Sequence, residues 1–97
     1  MTRGLDRFLE MKTKDELQQD AIDEAYCFFH QKWQVYRYSH SETQREDIEY
    51  AIASYVEQMN PRLYAQMAEG RPEFLLSPSS FDADMSHALL WLEARMK

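Results

Sequence analysis

KDELQQDAIDEAYCFFHQKWQVYRY, residues 14–38, contains neither glycine nor proline, and its apolar side chains recur at helical spacing from end to end. Thr13-Lys14-Asp15-Glu16 has the capping-box pattern, in which a threonine hydroxyl accepts an amide of the first turn and a glutamate reaches back. Acids at that end also suit the helix dipole. Ser39, His40 and Ser41 are the first residues beyond it that compete for backbone hydrogen bonds. One helix is therefore predicted over 14–38. At about 100° per residue, Leu17, Ala21, Ile22, Ala25, Tyr26, Phe28, Phe29, Trp33, Val35 and Tyr36 spread over roughly half its circumference. A single neighbour covers a narrower stripe, so this helix is expected at the centre of a bundle.

Working outward, Ser41 with Gln44, or Thr43 with Glu46, caps a helix over 42–59 whose stripe Ile48, Ala51, Ile52, Tyr55, Val56, Met59 follows i, i+3, i+4, i+7. Asn60-Pro61 ends it and starts the next: asparagine caps and proline takes the first helical position. A short helix over 61–69, with Leu63, Tyr64, Met67 and Ala68 inward, is expected to close at Gly70. Residues 71–80, with Pro72, Pro78 and the run Phe74-Leu75-Leu76, are read as an irregular connection pinned by apolar side chains. Ser79 or Ser80 then caps a last helix over 81–95. Residues 5–11, with Leu5, Phe8 and Leu9, are read as a short amphipathic helix.

The balance of residue types agrees with an all-α fold. Two Val, three Ile and three Thr, with only two Gly, leave a sheet short of both strand formers and tight turns. The 97 residues suffice for one core, so the chain is read as a single helical domain, 1–97.

Charge narrows the function classes. Seventeen acids against eleven bases leave a net charge of −6, and no two bases are adjacent. Residues 15–24 carry five acids and no base, and residues 42–57 carry five acids against Arg45. Such surfaces repel phosphate, which argues against nucleic-acid and anionic-membrane partners. The longest apolar runs, Ala25–Phe29 and Ala88–Leu92, have five residues where a membrane span needs about 20. Cys27 has no cysteine to pair with, and charges interrupt the first twenty residues where a signal peptide needs an apolar stretch. A cytoplasmic location is the expectation.

Two constellations bear on chemistry. Asp23, Cys27 and His30 lie at i, i+4 and i+7 on the polar arc of the 14–38 helix, and all three side-chain types ligate zinc. Structural zinc sites draw on two elements, however, so a solvated face is the plainer reading. Asp84-x-x-His87 has the spacing used in helical di-metal bundles, but those need a second such pair and inward carboxylates from other helices. No acid is expected on the inward stripes here. Neither isolated glycine, Gly4 or Gly70, makes a phosphate loop, and no nucleophile sits beside a fixed base. No cofactor and no catalysis are expected.

The last helix carries more apolar surface than an outer position needs. Phe81, Met85, Ala88, Leu89, Leu92 and Met96 make an inward face, while Ala83, His87, Leu90 and Ala94, with Trp91 at the margin, make a second. His87, Leu90, Trp91 and Ala94 are therefore the expected partner-binding residues, serving a non-catalytic interaction domain that pairs as a homodimer. The alternative is a small-molecule- or metal-binding domain using the aromatic arc at 26–38 or Asp23, Cys27 and His30. A nucleic-acid-associated regulator is the third reading, and the acidic charge disfavours it.

Overall fold

A computed structural model describes residues 14–96 and shows an all-α domain. Among the described residues four helices run α1 (Lys14–Tyr38), α2 (Glu42–Gln58), α3 (Pro61–Ala68) and α4 (Phe81–Glu93), with one 3-10 turn, Pro78–Ser80, leading into α4. The expected short helix over 5–11 and the Thr13 capping box lie outside the described residues. No helix among those described is long and apolar enough to cross a membrane.

The starts and stops follow local chemistry. Ser41 caps α2, its Oγ accepting the Gln44 amide at 3.2 Å. Asn60 Oδ1 accepts the amides of Arg62 and Leu63, and Pro61 opens α3 where no intrahelical amide is needed. Two ends differ from expectation. The left-handed residue that closes α3 is Glu69 (φ 51°), one place before Gly70 (φ 87°). The helix thus turns out of register one residue early. Ser80 occupies the cap position of α4 without its side chain capping, because its hydroxyl is drawn to another partner described below.

As its wide apolar arc requires, α1 is central and packs against α2, α3 and α4. Ile22, Ala25, Phe29 and Tyr36 of α1 are buried, together with Ile48, Ile52 and Val56 of α2, Leu63, Met67 and Ala68 of α3, and Phe81, Met85, Ala88 and Leu92 of α4. Fully burying a side chain of the Leu, Ile or Phe kind stabilises by roughly 1.5–3 kcal/mol. Phe28 of α1 stacks on Tyr55 of α2 at 4.3 Å, and Tyr36 packs against Phe81 at 4.9 Å while its hydroxyl donates to Glu49 at 2.8 Å. The arc is narrower than the wheel implied. Leu17 and Val35, expected inward, are exposed. They stand eighteen residues apart, about five turns, so they share one edge of the arc that the neighbours leave open.

The 71–77 connection contains a correction to the charge reading. Asp84, expected outside the inward stripes, is fully buried. Its position, three residues after Phe81 and four before Ala88, places it on the inner face of α4. Oδ2 accepts the Leu75 amide at 2.9 Å and the Ser80 hydroxyl at 3.0 Å. Oδ1 meets Nη1 of Arg71 at 2.8 Å, an ionic contact without the alignment of a hydrogen bond. Leu75 is held in the left-handed region (φ 66°), which a residue with a branched side chain rarely enters, and the carboxylate satisfies the amide this conformation turns inward. Phe74 and Leu75 are buried as expected, Leu76 is not, and the Tyr64 hydroxyl ties down the Phe74 carbonyl at 2.7 Å.

Candidate interaction surface

The four residues singled out on α4 do not share one environment. Leu90 is 68% exposed and Ala94, at the helix terminus, is exposed as well. Trp91 is half-buried: the Arg95 guanidinium lies over its ring at 3.6 Å and donates through Nη1 to the Trp91 carbonyl at 2.9 Å. His87 is half-buried too, edge-on to Phe74 at 5.7 Å and 3.6 Å from the Glu69 carboxylate. The inward face of the same helix is in the core, and Leu90 lies in solvent on its other side.

Along Trp91 runs an open groove of about 770 Å³ that sequence reasoning missed. From α1 it takes Gln18, Gln19 and Ile22, from the end of α3 Gln66 and Glu69, and from α4 and the turn after it Trp91 and Arg95. Ile22 and Trp91 supply the apolar surface. Gln18 Nε2 donates to Gln66 Oε1 at 3.3 Å, joining α1 to α3, and Gln19 Nε2 donates to the Arg95 carbonyl at 3.3 Å and to Asp23 at 3.1 Å. Three segments distant in sequence build this groove, and within each one its residues recur at i, i+3 or i, i+4: Gln18 and Ile22, Gln66 and Glu69, Trp91 and Arg95.

The metal alternative is not assembled. Asp23 is engaged by Gln19, the His30 ring stacks on Tyr26 at 5.4 Å and pairs with Gln34 at 3.2 Å, and Cys27 is exposed. Among the described residues no three His, Cys, Asp or Glu side chains are grouped to hold a metal ion. Asp84 and His87 also diverge, the first toward Arg71 and the second toward Phe74 and Glu69. In the aromatic arc Trp33 stacks on Tyr36 at 5.8 Å and Tyr36 packs on Phe81, so these rings serve the interior. Tyr38 at the end of α1 is exposed, with the Arg37 guanidinium 5.5 Å from its ring.

Burial and neighbouring acid raise three phenols. Tyr36 is pushed up to about 12, first by burial and then by its hydrogen bond to the Glu49 carboxylate and that group's charge. Tyr55 is raised by burial and by Glu24, and Tyr64 by burial and then by Asp84. None of these three tyrosines lines the groove.

Compared with protein families, curated proteins and solved structures, the chain matches none.

Proposed function

We propose that this chain is a non-catalytic protein–protein interaction domain that pairs with a second copy of itself through the outward face of α4. The observation that supports it best is Leu90, 68% exposed in a helix whose other face fills the core, beside the half-buried Trp91 and the exposed Ala94. An apolar side chain so placed and rimmed by charge, here Glu93 and Arg95, is a common mark of an interface. A self-complementary patch closes on itself by a two-fold axis and leaves no open end, which favours a dimer over a chain of copies. Removing apolar area from water contributes about 25 cal/mol per Å², offset by the entropy lost on association.

Sedimentation equilibrium of the wild type and of Leu90→Glu tests the reading. The wild type should be dimeric and the variant monomeric, with helical circular dichroism unchanged, because Leu90 makes no part of the core. A wild type that stays monomeric at high protein concentration refutes self-association.

A further inference from the structure

Resting on that reading of α4, we infer that the groove between α1, α3 and α4 is the receptor half of the same interface: it takes the partner's Leu90, and Arg95 pairs with the partner's Glu69. The observation behind it is the polarity of the groove. Glu69 stands at the level of His87, 3.6 Å from that ring, and Arg95 stands eight residues further along the chain, in the turn that ends α4. At about 1.5 Å per residue the acidic and basic ends are roughly 12 Å apart along the helix, with Leu90 and Trp91 at the midpoint. Both charged residues line the one groove, and both are exposed.

That arrangement selects a symmetry. A two-fold axis perpendicular to α4 at the level of Leu90 and Trp91 reverses the second copy. Each Arg95 then meets the partner's Glu69, and the pair forms twice. An axis parallel to α4 sets like ends together, Arg95 beside the partner's Arg95, and brings repulsion instead of attraction. The antiparallel crossing also places the partner's Leu90 over the apolar part of the groove, Ile22 and Trp91, and the groove's own Leu90 over the equivalent site in the partner. Arg95 is prepared for this role. Stacked on Trp91 and tied by Nη1 to the Trp91 carbonyl, its guanidinium makes no other hydrogen bond among the described residues and offers further N–H groups to a carboxylate.

Complementary charge reversal distinguishes this geometry from any other dimer. Glu69→Arg and Arg95→Glu, each alone, set two like-charge contacts in the homodimer, and each should weaken it on the order of 10- to 100-fold. An equimolar mixture of the two should recover wild-type affinity as a heterodimer, seen at its own mass by native mass spectrometry, because both cross-pairs are then attractive. Circular dichroism checks that each variant folds, and Glu69→Gln with Arg95→Gln repeats the weakening with smaller changes. Singles that weaken without recovery in the mixture overturn the cross-pairing. Singles that leave the dimer intact while Leu90→Glu dissociates it also overturn the cross-pairing, and leave self-association through α4 standing. A wild type that is monomeric under all conditions overturns both, and leaves the groove to a different protein chain.

Discussion

Replacing Asp84 by alanine removes one side chain and three attachments at once. The Leu75 amide loses a charged acceptor at 2.9 Å, a bond of the class worth about 1.5–3 kcal/mol, and it is left inside the protein with no other partner at hand. The Ser80 hydroxyl, 3.0 Å away, contributes about 1 kcal/mol more by the usual net value of a hydrogen bond. The Arg71 contact adds less than its 2.8 Å length implies. The Arg71 side chain is 47% exposed, so water screens the pair, and exposed pairs are worth less than about 1 kcal/mol. Asp84→Ala should therefore cost about 3–5 kcal/mol, the sum of these three losses. At about 4–8 °C per kcal/mol for a domain of this size, the smaller figure already lowers the melting temperature by roughly 12–24 °C. Arg71→Ala should cost less, about 1–2 kcal/mol, since the Leu75 amide keeps its acceptor while Oδ1 of the buried carboxylate loses its ionic contact. Urea unfolding followed by circular dichroism measures both. Equal losses for the two variants would falsify the claim that the carboxylate acts mainly on the Leu75 amide, and a loss under 1 kcal/mol for Asp84→Ala would show that the left-handed turn at Leu75 stands without it.

Ile52→Asp sets a carboxylate at a position with no solvent access in the α2 stripe and should cost at least about 3 kcal/mol, abolishing a cooperative thermal transition; a melting shift of a few degrees would mean α2 does not pack as described. The Tyr36 phenol, raised from 10 to about 12, holds its proton in the folded state while the unfolded chain gives its own up. Its contribution is complete below pH 10 and is lost as pH rises from 10 to 12, so unfolding should become easier across that window and less so in Tyr36→Phe, with the last phenol to ionise in ultraviolet titration missing from the variant.

The starts of α2 and α3 track residues with a local reason to be there. Ser41 and Asn60 accept amides of the turn they precede, and Pro61 needs no partner for an amide it lacks. Such bonds lie within three residues of their origin, so one sequence is enough to see them. The i, i+3, i+4 stripes of α2 and α3 are legible for the same reason, because a helix repeats its own geometry and Ile48, Ile52 and Val56 must emerge on one side.

Other features depend on what a helix meets. Leu17 and Val35 have the same apolar character as Phe29 and differ in lying at one edge of the arc, but α1 alone does not say which edge its neighbours leave open. Asp84 sits at an inward spacing, but whether a carboxylate can occupy that spot depends on a backbone amide nine residues earlier turning toward it, at a leucine whose left-handed conformation no residue type announces. The Ser80 hydroxyl left its capping role for the same carboxylate. The groove draws on residues 18 to 95, joined by bonds such as Gln18 to Gln66, and exists only where three helices leave a gap. Composition, periodicity and capping therefore settled the class of fold and the course of the helices, since these act over a few residues. Packing between helices decided which polar groups were buried, which leucines stayed in water and where Glu69 and Arg95 came to border one surface, because those outcomes depend on contacts between segments far apart in the chain.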